Sequence, residues 1–194
     1  MTEWLIWLLV MAVMQNAILT TGFGSSMLLR VTRRPRDILL FSGLLTGFSL
    51  LTVLIVYPLD LLLGNTAAAK MVRPLVMVVI AALLYLLTVL LLKKLLPAVY
   101  TRIQRMLSLA AFNNLTIGLA LVANHKVTLT LPGTIGLVLG ACLGFLLLSV
   151  LTAEARERMD NPGVPVAFRG LPGVLLFLGI VALALLGFGP GTLV

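Results

Sequence analysis

The sequence predicts an all-α polytopic membrane protein, with six transmembrane helices arranged as two inverted three-helix repeats. Three observations carry this. First, the 194-residue chain is 61% hydrophobic and only 10% charged, whereas soluble domains hold about 45–50% apolar and about 25% charged residues. Second, the apolar residues gather in six long runs, and a helix needs roughly 20 of them to cross a bilayer. Third, most of the lysines and arginines fall in alternate connectors, the asymmetry of a chain threaded through a membrane. A water-soluble fold of this size could not hide so much apolar surface, while lipid removes the need to hide it. A soluble enzyme is therefore excluded. The length allows one integral membrane domain over residues 1–194, with halves of about 1–95 and 96–194.

The first run extends from Trp4 to Thr21, and the chain is apolar again through Leu29. It lacks the basic start and the small-residue cleavage site of a signal peptide, so it reads as a mature helix. The second runs from Ile38 to Leu63, the third from Val72 to Leu92 and the fourth from Ile103 to Ala123. The fifth runs from Thr134 to Thr152 and the sixth from Val174 to Phe188. Short segments rich in turn residues separate them: Arg33-Arg34-Pro35-Arg36, Gly64-Asn65-Thr66, Lys93 to Pro97, Leu131-Pro132-Gly133 and Asn161-Pro162-Gly163.

Arg30, Arg33, Arg34 and Arg36 lie between runs one and two, Lys93, Lys94, Arg102 and Arg105 between three and four, and Arg156, Arg158 and Arg169 between five and six. That places eleven of the 14 basic residues on one side and leaves Lys70, Arg73 and Lys126 on the other. Because cytoplasmic loops carry the excess of positive charge, both termini are expected on the outer side of a bacterial cytoplasmic (inner) membrane. Trp4 and Trp7 suit an anchor at that outer interface. The net charge of +8 thus records topology. No basic face interleaved with aromatics is present, so nucleic acid is not an expected partner. Cys142 is the one cysteine, which rules out an internal disulfide. No Cys/His spacing suits a metal.

Runs one and four differ from the others. The first carries Gln15-Asn16 and then Thr20-Thr21-Gly22-Phe23-Gly24-Ser25-Ser26, and the fourth carries Asn113-Asn114, Thr116 and Gly118. Paired interruptions in matching helices of two halves point to a functional centre near the midplane and to helices broken there. Asn16, Gly24 and Asn113 form that candidate polar centre. Small and polar residues also serve helix packing in lipid, and the Gly/Ser stretch suits either role. Two adjacent carboxamides in hydrocarbon need partners, which one helical face cannot supply to both. No nucleophile–base pair, phosphate-binding loop or nucleotide fold is visible, so no catalytic residue is assigned.

The residues just named, with several others in fixed order, resemble the paired integral membrane subunits of Rnf and Nqr complexes, closest in type to the A subunit of Rnf and the E subunit of Nqr. The carriers are Gln15-Asn16 with Gly24, Arg73, Lys94-Leu95-Leu96-Pro97-Ala98-Val99-Tyr100, Asn113 with Gly118, and Gly187-Phe188-Gly189. The most specific piece is Arg156-Glu157-Arg158 followed by Val164-Pro165-Val166-Ala167-Phe168-Arg169-Gly170, like the family's RER…VPxxFRG ending. The resemblance runs nearly end to end. It implies six helices in inverted halves with outer termini, in membrane lipid. It implies a homologous membrane partner of opposite topology beside other Rnf/Nqr-like subunits. It also implies an iron–sulfur centre at membrane depth between the two homologues, each giving two cysteines.

Here the chain departs from the pattern. Ser26 and Asn114 stand where the family has its cluster cysteines, and Met27 replaces the proline that follows the first. Iron–sulfur clusters are held by thiolates, and a hydroxyl and a carboxamide are poor substitutes. No cofactor is expected on this chain alone. The resemblance implies a non-catalytic membrane subunit of an ion-translocating electron-transport complex, of the NADH:quinone or ferredoxin:NAD oxidoreductase type. The alternative is a paralogue without the cluster cysteines acting as a small cation or solute transporter, its polar centre formed by Ser26, Asn16, Asn113 and Asn114. Oxygen and amide donors suit hard cations better than iron.

Overall fold

The computed structural model describes residues 3–14, 16, 19, 22, 25, 28, 35–63, 67–125 and 130–187. Among them every regular element is a helix. Helix α1 (Glu3–Leu9) continues as a π-helical turn over Val10–Met14. Helix α2 spans Pro35–Leu63, α3 Ala67–Leu95, α4 Pro97–Ala111, α5 Asn114–His125, α6 Leu131–Met159 and α7 Leu171–Leu186, with a 3-10 turn at Val166–Phe168 before α7. Three of these, α2, α3 and α6, are long and apolar enough to cross a membrane, and α1 and α7 are shorter apolar helices. The fourth apolar run is divided between α4 and α5. The expected break in the first run falls largely outside the described residues, but Asn16 is not helical and Leu19 is.

Local chemistry explains the ends. Asp37 in the first turn of α2 and Lys93 and Lys94 in the last turn of α3 complement the helix dipole. Two expected connectors proved shorter than read. The Lys93–Pro97 segment contracts to Leu96 alone, because Pro97 is pre-set for a first helical position. Leu131-Pro132-Gly133 is the first turn of α6 rather than a loop. Thr130 caps it, its side chain accepting from the Gly133 amide at 3.4 Å, and its hydroxyl donates to Glu3 Oε2 at 2.7 Å. The fifth span also runs on to Met159. At 29 residues it is about 43 Å long, which carries Arg156-Glu157-Arg158 beyond a hydrocarbon layer of about 30 Å.

Helix α6 is the centre of the packing. Of its apolar stretch 61% is buried, against 17% for α3 at the rim. Gly136, Gly140 and Gly144 form a stripe along α6, and the backbone of α1 lies on it. A Cβ at Gly136 would collide with the Trp4 carbonyl, one at Gly140 with that of Leu8, and one at Gly144 would sit 2.6 Å from Asn16 Nδ2 and 3.0 Å from the Ala12 carbonyl oxygen. Both sets of positions advance by four, so α1 and α6 run parallel. In contrast, the Phe41 ring meets that of Phe145, tilted at 45° with centroids 5.6 Å apart, while Thr46 and Ser49 meet Cys142, so α2 and α6 run antiparallel. Tyr85 meets Phe112 at 5.5 Å and Lys93 lies over the Tyr100 ring at 5.2 Å, which makes α3 and α4 antiparallel too.

The Arg169 segment has a structural job. Its Nη2 donates to the carbonyls of Pro162 at 2.9 Å and Val164 at 3.2 Å, closing the turn between α6 and α7. Gly170 follows with φ +72°, a conformation that costs a Cβ-bearing residue. Arg169→Ala is expected to lower the thermal unfolding midpoint in detergent by about 2–4 °C, as two exposed hydrogen bonds worth together about 1 kcal/mol are lost. A differential scanning fluorimetry trace that does not move would show the brace to be idle.

Candidate functional site

The break in the fourth run is built by one side chain. The amide of Phe112 still donates to Ser108 O at 3.1 Å, but that of Asn113 turns to Ala110 O at 3.4 Å. The Leu115 amide then donates to Asn113 Oδ1 at 2.9 Å, and the Ile117 amide to Asn113 O at 3.2 Å. Asn113 is thus the N-cap of α5, a role its carboxamide suits. It is 5% exposed, and its Nδ2 has no hydrogen-bond partner among the described residues.

Hydroxyls tie the break to its neighbours. Thr116 Oγ1 donates back to Ala110 O at 3.0 Å, and Ser49 Oγ donates to Thr116 Oγ1 at 3.3 Å. The Cys142 thiol lies within hydrogen-bonding reach of Ser49 and Thr46, and Thr46 Oγ1 donates to Ser42 O at 2.8 Å. A buried polar seam therefore joins α2, α6 and the α4–α5 break. Beside it a cavity of about 330 Å³ is lined by Ser42, Gly43, Thr46, Cys142 and leucines of α1, α2 and α6.

Asn16 lies on the opposite flank of α6. It is 3% exposed, its Nδ2 donates to Ala12 O at 3.2 Å, and its carbonyl accepts from Leu19 at 3.0 Å. Gly144, against which it packs, is two residues from Cys142, about 3 Å along the helix axis. Asn16 and the Cys142–Ser49–Thr116 seam therefore stand at one height on either side of α6. Gly24 and Ser26 lie outside the described residues. Asn114 opens α5 and is exposed, turned away from the buried Asn113.

The seam is built of hydroxyls, a thiol and carboxamides, groups that can pass or hold hydrogen bonds. Of the two positions where the resemblance puts cluster cysteines, 26 and 114, only 114 lies among the described residues. Asn114 offers a neutral carboxamide. Cys142 is buried on α6 between two hydroxyls, on a different helix from Asn114. Among the described residues no three His, Cys, Asp or Glu side chains converge on a metal position. The sequence reading missed the α2 contribution, although Ser42, Thr46, Ser49 and Thr52 recur at helical spacing within an apolar run.

A family profile described as "Rnf-Nqr subunit, membrane protein" matches residues 5–191. Among characterised relatives, the chain is 30% identical to the A subunit of the ion-translocating oxidoreductase complex of Pasteurella multocida, over 97% of each chain. It is 29% identical to the A subunit of the Na(+)-translocating ferredoxin:NAD(+) oxidoreductase complex of Acetobacterium woodii, over 95% of this chain and 96% of that one. It is 30% identical to the A subunit of the ion-translocating oxidoreductase complex of Rhodobacter capsulatus, again over 97% of each.

Proposed function

The chain belongs to the Rnf-Nqr family of membrane subunits, and from that premise we propose that it is the A-type membrane component of an ion-translocating electron-transport complex. The observation that carries this is the near-complete match in length to relatives that are themselves named as subunits of such complexes. The polar break at Asn113, in the run where the sequence reading put it, supports a role at membrane depth. Its surroundings favour scaffold and passage over substrate chemistry. In this reading the chain crosses the inner membrane six times in two inverted halves, with both termini outside, beside a homologous partner of opposite topology. The parallel pairing of α1 with α6 fits that count, since the first and fifth of six crossings share a direction.

Affinity purification of the tagged chain from its own membranes tests the reading: flavin- and nicotinamide-handling subunits are expected to co-purify. A chain that comes alone and takes up cations in vesicles would instead favour the transporter.

The chain contributes no ligand to an iron–sulfur centre in this reading. Purified alone in detergent, it is expected to hold well under one iron per chain and no charge-transfer absorbance near 420 nm. Stoichiometric iron and sulfide would overturn this.

A further inference from the structure

We infer that the outward face of α4, continued by Asn114, is a membrane-embedded docking surface for a helix of a different membrane subunit that offers a carboxylate to Arg105. This rests on the reading that the chain works within a complex.

Amphipathicity is the first observation. Leu107, Ala110 and Ala111 of α4 are buried, while Thr101, Arg102 and Arg105 on its other side, and Gln104 on its flank, are exposed. Asn114, just past the break, is exposed as well. The outer surface of α3 is apolar throughout, with Leu75, Val79, Leu83 and Leu90 each at least half exposed, whereas that of α4 mixes its polar groups with exposed Val99, Leu109 and Phe112. Lipid suits the α3 surface better than the α4 one, because polar side chains at membrane depth face protein or water.

Depth is the second observation. Lys93 over Tyr100 marks the basic end of the α3–α4 elbow. From Tyr100, Gln104 lies about 6 Å, Arg105 about 8 Å and Ser108 about 12 Å along the helix, with Asn114 further still. Half of the hydrocarbon layer is about 15 Å. An arginine near the edge can snorkel to the headgroups, but Gln104 and Asn114 are too short to do so.

Charge complementarity is the third. Neither α4 nor α5 carries an aspartate or glutamate. Among the described residues Arg102 and Arg105 make no ion pair, while the hydroxyls of Thr101 and Ser108 close on their own helix. Arg105 is left presenting charge-assisted donors outward, and a carboxylate answers their geometry. Every acidic residue of this chain stands close to a helix end, so a second copy has none to offer deeper in the layer.

Gln104→p-benzoyl-phenylalanine and Leu83→p-benzoyl-phenylalanine, each made in the full chain and irradiated in native membranes, test the surface. Position 104 is expected to give an adduct mapped by mass spectrometry to a membrane helix of a co-purifying subunit, at least fivefold above position 83. Arg105→Glu should lower recovery of that subunit at least fivefold, and Arg105→Lys should lower it less. An adduct to a second copy, lipid adducts alone, or equal yields from both positions would overturn the inference. If the complex purifies intact without the position-104 adduct, only this surface fails. If the adduct forms on a membrane protein unrelated to electron transport, the surface stands and the complex reading fails.

Discussion

Gly140→Leu is expected to prevent the protein from accumulating in a folded form. At Gly140 the Leu8 backbone occupies the volume that even a Cβ would need, and backbone cannot rotate aside as the tip of a side chain can. Helix pairs in lipid are held by close packing of this kind, since burying apolar surface gives no gain where the solvent is itself apolar. Overpacking a tight site costs about 1–3 kcal/mol. Here α1 would have to lift off α6, taking with it the contacts of Trp4 and Asn16 on either side. Because backbone meets backbone and neither can turn aside, the loss should exceed that range and approach the whole stability of a fold, about 5–15 kcal/mol. Gly140→Ala should be folded but weakened, with a midpoint lower by about 5 °C or more. Gly179→Ala is the control, because nothing lies within 4 Å of its Cβ position. Fluorescence-detected size exclusion in detergent reads the outcome. A monodisperse Gly140→Leu peak at wild-type yield would mean that α1 does not sit on α6.

The second, third and fifth apolar runs were legible because lipid imposes length and composition so strongly that little else is compatible with a span. The ends were harder. A proline and a glycine after a leucine read as a turn, and at Leu131-Pro132-Gly133 they start a helix, because Thr130 upstream is an N-cap and proline in a first turn removes no needed donor. Lys93 to Pro97 reads as a loop by charge, yet the lysines finish α3 favourably and only Leu96 bends. The carboxamide pair at 113–114 was visible as an anomaly, but not its division of labour. That follows from the break: Asn113 turns inward to cap α5, and Asn114 is left outside. The α2 hydroxyls were overlooked because each one singly is unremarked in a membrane helix. Only the fold brings Ser49 onto Thr116 and Cys142 from distant parts of the chain.

Replacing Asn113 by serine and by alanine is expected to separate two roles of one side chain. Its Oδ1 satisfies the buried Leu115 amide, and its Nδ2 is buried with no partner among the described residues. Serine can keep the cap but has no amide to present, so Asn113→Ser should stay within about 0.5 kcal/mol of the parent in stability. Asn113→Ala strands the Leu115 N–H in a buried site and should cost about 1–3 kcal/mol. If the free amide serves passage through the membrane, coupled ion uptake by the reconstituted complex should fall at least tenfold in both variants, although only alanine loosens the fold. If the amide is a packing group, activity should follow stability, and Asn113→Ser should pump like the parent. Such an outcome would remove Asn113 from the functional site and leave it as the cap of a broken helix.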